Sequence, residues 1–177
     1  MVEYVVEPKS RENIRDLARI LRKTLGLEDE IYFPIVELLD VMCMIFPKFS
    51  YEIVEDDVFP ENIHADTDVM NHHIRIKQSV YDGASEGVGR DRMTIAHEIG
   101  HYFMLCCCGI KFQRNFKKES VPSYKSPEWQ AKCFAGELLV DATLTKDMDP
   151  FEIVEQCGVS IVAAKYQYRK MHERRAA

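Results

Sequence analysis

Residues 97–101 read His-Glu-Ile-Gly-His, and this pentapeptide constrains the chain more than any other feature. On an α-helix, positions four apart differ by about 40° and stand one turn apart, so the two imidazoles share a face. Ile95, Ala96, Ile99, Tyr102 and Phe103 flank them with apolar side chains. The segment must therefore be a half-buried helix, and a helix is predicted over about 91–107. Gly100 sits inside it, where glycine costs about 1 kcal/mol relative to alanine. Its presence there points to close approach by another element.

Two neutral imidazoles at this separation can hold one Zn²⁺, with Glu98 placed to accept a proton from water on the metal. With this composition the bare pattern arises by chance in roughly one chain in fifty, so its apolar setting carries much of the weight. A catalytic zinc takes three protein ligands and leaves a fourth position for water. Glu128 and Glu137 are the first candidates for the third ligand, both on a helix predicted over 126–140. Nine residues apart, they fall on opposite faces, so at most one meets the metal. Glu128, in the first turn, is favoured, although a carboxylate there also complements the helix dipole. Cys108 is the rival ligand, but it lies about 10 Å further along the axis than His101, too far to share an ion. Two nitrogens and a carboxylate suit zinc best, while manganese or iron can occupy such a set.

The remaining sequence bounds the setting. The 177 residues are 46% hydrophobic, enough for one real core, and 29 acidic side chains face 23 basic ones. That balance argues against a coat for nucleic acid or anionic membrane. The first residues show no basic stretch followed by an apolar run, so no signal peptide is read. The longest apolar stretch, Phe103 to Ile110, is too short to span a bilayer. The six cysteines (Cys43, Cys106, Cys107, Cys108, Cys133 and Cys157) then read as reduced thiols of a cytoplasmic protein, mostly core filler.

Periodicity predicts a helix over 9–26 capped by Ser10, and another after Pro34 that buries Ile35, Leu38, Leu39 and Met42. Phe49, Tyr51 and Ile53 alternate as a strand should. Segments 62–68 and 72–78 read as a hairpin around Met70 and Asn71, with Ile74 and Ile76 inward. Gly83, Gly87 and Gly89 read as a polar loop. A helix pair closes the chain over 149–174. The expected architecture is one α+β domain, residues 1–177, with a small antiparallel sheet and the motif helix among several others.

Arg92-Met93-Thr94-Ile95-Ala96-His97-Glu98-Ile99-Gly100-His101, followed by Glu128-Trp129-Gln130-Ala131-Lys132-Cys133-Phe134-Ala135-Gly136-Glu137-Leu138-Leu139, resembles the ImmA/IrrE family of zinc metallopeptidases. That family pairs a "TxAHELGH" helix with a later "ExxANxFAxxLLMP" helix. The resemblance covers about residues 35–141. It implies a zincin-like fold, zinc on His97, His101 and Glu128, and Glu98 as general base. It also implies a cytoplasmic protease cleaving a helix-turn-helix transcriptional repressor, often one from a mobile element. Lys132 stands where the family usually has Asn, and Val140-Asp141 replaces Met-Pro.

Tyr124, His73 and Arg90 are candidates to stabilise an oxyanion. The alternative reading is a non-catalytic zinc-containing module that binds a repressor or DNA through its C-terminal helices. Residues 153–164 have a helix-turn-helix rhythm, and Lys165, Arg169, Lys170, Arg174 and Arg175 face Glu173 alone. A solvated charged tail explains that run more simply. A hydrolase with a small substrate is the third possibility.

Overall fold

The computed structural model describes residues 3–107, 113–115 and 122–173. A short strand, β1 (Glu3–Val5), precedes α1 (Arg11–Thr24). Ser10 caps α1: its hydroxyl accepts from the Asn13 amide, and Asn13 Oδ1 accepts from the Ser10 amide. Two otherwise unpaired groups at the chain's entry are thereby satisfied. α2 (Ile35–Ile45) buries Ile35, Leu38, Leu39 and Met42, the face its spacing predicted. Strands β2 (Ser50–Val54), β3 (Ala65–Asp68) and β4 (His73–Lys77) follow. Then come α3 (Gln78–Ser85) and α4 (Gly89–Tyr102), which runs on into a π-helical turn at Phe103–Cys107. β5 (Gln113–Asn115) pairs antiparallel with β1. A 3₁₀ turn at Ser123–Lys125 leads into α5 (Pro127–Leu139), and α6 (Pro150–Cys157) and α7 (Ile161–His172) complete the described chain.

The expectation of mixed α and β elements holds, with two corrections. The three-stranded sheet is mixed rather than antiparallel, in the order β2-β4-β3 with β2 parallel to β4. Parallel neighbours need a long crossover. Residues 55–72 supply it and fold β3 within it. β3 and β4 do form the antiparallel hairpin, with Thr67 opposite Ile74 and Asp66 opposite Arg75. Its turn is stabilised by the Asp68 carboxylate, which accepts from the amides of Met70 (3.0 Å) and Asn71 (3.1 Å). The second correction is α3, in a stretch expected as loop. Gly83 lies inside this helix, where a Cβ would stand 2.2 Å from Asp91 Oδ2. The glycine serves the packing of α3 on α4, not a turn.

A buried cluster joins Ile14 of α1, Leu39 of α2, Ile74 and Ile76 of β4, Ile95 and Ile99 of α4, and Phe134 and Leu138 of α5. Ile153, Val159 and Ala164 tie the last two helices to the same cluster. Arg92 of α4 is buried and clasps that end, donating to the carbonyls of Phe33 (2.8 Å) and Gly158 (2.9 Å) and to the Tyr32 hydroxyl. Cys133 and Cys157 are core residues, and burial pushes their thiols up to about 12 and about 11. Cys43 is exposed. The side chains of Cys106, Cys107 and Cys108, like Arg174 and Arg175, lie outside the described residues. Among the described residues no helix is long and apolar enough to cross a membrane.

Candidate metal centre

α4 and α5 touch backbone to backbone at Gly100. A Cβ there would stand 2.8 Å from the Ala131 carbonyl oxygen and 3.2 Å from Ala131 Cα. Alanine would hold the helices apart, so the glycine sets how near α5 can come. α5 begins where it must for this contact. Ser126 caps it, accepting from the Trp129 amide at 3.4 Å, and Pro127 occupies the first turn, where no amide is needed. Glu128 then hangs at the start of α5, directly over the polar face of α4.

There it meets both histidines. His97 Nε2 lies 3.4 Å from Glu128 Oε2, His101 Nε2 lies 3.1 Å from Glu128 Oε1, and the two Nε2 atoms are 3.0 Å apart. Donors about 2.0–2.1 Å from one ion at tetrahedral corners stand about 3.3–3.4 Å from one another. The observed separations are close to that spacing, with one Glu128 oxygen facing each imidazole. His97, His101 and Glu128 therefore form a group that could hold a metal ion. Contacts from His101 first, then His97, hold the Glu128 carboxyl well below the usual carboxylate range. It is therefore ionised as a ligand must be. The second nitrogen of His97, Nδ1, is buried with no hydrogen-bond partner among the described residues. Metal-binding imidazoles usually donate from that atom.

Glu98 lies beside this triangle, 8% exposed, with its own support. The Thr67 hydroxyl is 2.7 Å from Glu98 Oε2 and 3.1 Å from the Glu98 carbonyl oxygen. Thr67 reaches it because β3 packs on α4, with Thr67 opposite the buried Ile74 on the face turned inward. The neighbouring pair points outward: Arg75 grips Asp66 at 2.5 Å and lies over the Phe59 ring. The Glu98 side chain is therefore fixed by a strand while the histidines are fixed by its own helix.

No family model matches the chain, and no curated protein matches it.

The pocket in front of the triangle measures about 700 Å³. Its walls are β3 and the residues before it, α4 from Thr94 to His101, and α5 at Glu128 and Lys132. Glu137 faces away from it, as the nine-residue spacing requires. It is 2% exposed and bound by Arg11 at 2.5 Å and Arg15 at 2.7 Å. None of the three oxyanion candidates lines the pocket. His73 bonds Ser50 on β2, Arg90 pairs with Asp91, and Tyr124 is exposed in the 3₁₀ turn. The polar groups that do line it, beyond the motif and Glu128, include His64, Thr67 and Lys132. Thr67 and His64 carry no motif. Following the hairpin register from Ile74 would have placed Thr67 on the inner face.

Proposed function

We propose that the protein is a zinc-dependent endopeptidase of zincin type, acting in the cytoplasm on a helix-turn-helix transcriptional repressor. The observation that carries the reading is the convergence of His97, His101 and Glu128 at the spacing of a tetrahedral metal, with Glu98 braced beside them. A purely structural metal site has no use for a buried carboxylate held next to its ligands. The resemblance to ImmA/IrrE peptidases supplies the substrate class.

A zinc ion bound here would act as a Lewis acid and make water a nucleophile near neutral pH. The chain's own residues do the rest. Glu98 takes the proton of the attacking water and delivers it to the leaving amine. Thr67 keeps the Glu98 carboxylate aimed during both transfers. β3, which among the described residues pairs on one side only, with β4, would offer its other edge to an extended peptide, so that backbone hydrogen bonds can draw the scissile bond across the pocket. His64 and Lys132 are the pocket residues able to donate to an oxyanion.

The purified protein should bind about one zinc per chain by elemental analysis, the stoichiometry of a single three-ligand site. Incubated with the helix-turn-helix repressor encoded beside it, it should cut that protein. Glu98→Gln should keep the metal and lose roughly 10²–10⁴-fold in rate, the usual worth of a general base. Full activity in Glu98→Gln would end the peptidase reading.

A further inference from the structure

A second cavity, about 430 Å³, opens between α5 and α7 and shares a wall with the metal pocket. The sharing is residue by residue. On α4, Thr94 lines the metal pocket and Met93 the second cavity; on α5, Glu128 lines the first and Trp129 the second. Lys132 belongs to both. The remaining surface of the cleft is largely apolar, with Cys133 at its base and Val162, Ala163 and Tyr166 along α7. Val162 is 75% exposed and Tyr166 40%, so the α7 side is apolar yet open to water. Its volume is that of a site for an organic side chain or small ligand.

Lys132 gives the cleft a charge preference. It follows Glu128 by one turn on the same face of α5, is exposed, and has no ion pair with a described carboxylate. A cation without an ion pair among the described residues, at the junction of two cavities, can bind an anionic group arriving in either. Next to it, Met93, Trp129 and Val162 would exclude water from a large hydrocarbon or aromatic group.

We propose that this cleft is a side-chain subsite for the protein substrate, taking a bulky apolar residue while Lys132 pairs with an acidic residue beside it. The proposal rests on the peptidase reading and adds to it a sequence preference: an acidic residue adjoining a large apolar one, close to the cut bond. The C-terminal helix α7 thereby becomes a wall of the substrate site as well as a closure of the core.

The chain has one tryptophan, and it lines the cleft, so occupancy can be read without turnover. Zinc-loaded Glu98→Gln protein is titrated with short synthetic peptides containing Glu-Phe, Glu-Ala or Lys-Phe, following Trp129 emission. The Glu-Phe peptide should bind about tenfold or more tightly than either control, since a buried phenyl ring and an ion pair are each lost in one of them. Ala163→Met, which fills the cleft, should erase the preference for Phe over Ala. Lys132→Glu should invert the preference between Glu-Phe and Lys-Phe. Equal affinities for all three peptides, or a preference that survives both substitutions, would overturn the subsite. Wild-type cleavage of the same peptides is scored separately. Cutting without the preference sinks the subsite and spares the peptidase. Binding with the preference but no cutting, either of these peptides or of the repressor, removes the peptidase and with it the cleft's role as a substrate subsite.

Discussion

Glu128 and Glu137 stand nine residues apart on α5 and live in opposite surroundings. Glu137 is buried, and two arginines from α1 use both its oxygens. Glu128 is 61% exposed and faces two imidazoles, at 3.4 and 3.1 Å. In the first, the carboxylate is fully met by two guanidinium groups inside the fold. In the second, three donors lie close enough together to hold a cation. The same side chain on the same helix meets two guanidinium groups at one end and two imidazoles at the other, and only the second set could hold a metal ion.

The contrast can be broken from either end. Glu137→Ala strands two guanidinium groups at the α1–α5 contact and should cost about 3–5 kcal/mol in urea unfolding, with zinc content unchanged. Glu128→Ala should do the reverse. Zinc affinity, measured by competition with a chelator, should fall by more than the roughly 10–100-fold typical of losing a ligand's supporting partner. The metal-free protein should unfold within about 0.5 kcal/mol of wild type, as an exposed substitution does. Should both variants lose the same property, the division of labour along α5 is wrong.

Gly100→Ala probes the joint between the two ends. The added methyl meets backbone rather than a movable side chain, so overpacking of about 1–3 kcal/mol should outweigh the gain in helix propensity. Zinc affinity should weaken with it, because Glu128 is carried away from the histidines. The smallest effect is expected at Thr67→Val. Stability and metal content should be retained and turnover should drop about tenfold at constant KM, with Thr67→Ser restoring most of it. A change confined to KM would show that Thr67 meets the substrate instead of aiming Glu98.

The elements that sequence made legible are those with local chemistry. Ser10 and Ser126 mark helix starts, the apolar spacing of α2 marks its buried face, and the alternation around Ile74 and Ile76 marks the hairpin strand. The convergence of His97, His101 and Glu128 was legible for the same reason: two of them share a face by helical spacing, and the third is restricted by the geometry of a second helix. What escaped was non-local. The parallel pairing of β2 with β4 depends on a crossover that no residue pattern announces. α3 was hidden because its glycine answers to Asp91 on another helix. Thr67 supports Glu98 across a sheet–helix contact, so its meaning depends on register. Lys132 could be read as a departure from a family pattern, but the cavity that it shares with α7 depends on how α5 and α7 pack.

β3 has one further consequence. Among the described residues it is bonded on one side only, and an exposed edge of this kind is a ready template for another copy of itself. This one is four residues long and reads Ala-Asp-Thr-Asp. Shortness and acid charge are the ordinary defences of an edge, since a second copy would bring aspartate against aspartate. The rim of the pocket is thus protected against its own kind while remaining open to a strand without that charge. Asp68, which stabilises the hairpin turn, and Asp66, which binds Arg75, thus lie where a second acidic strand would have to pair.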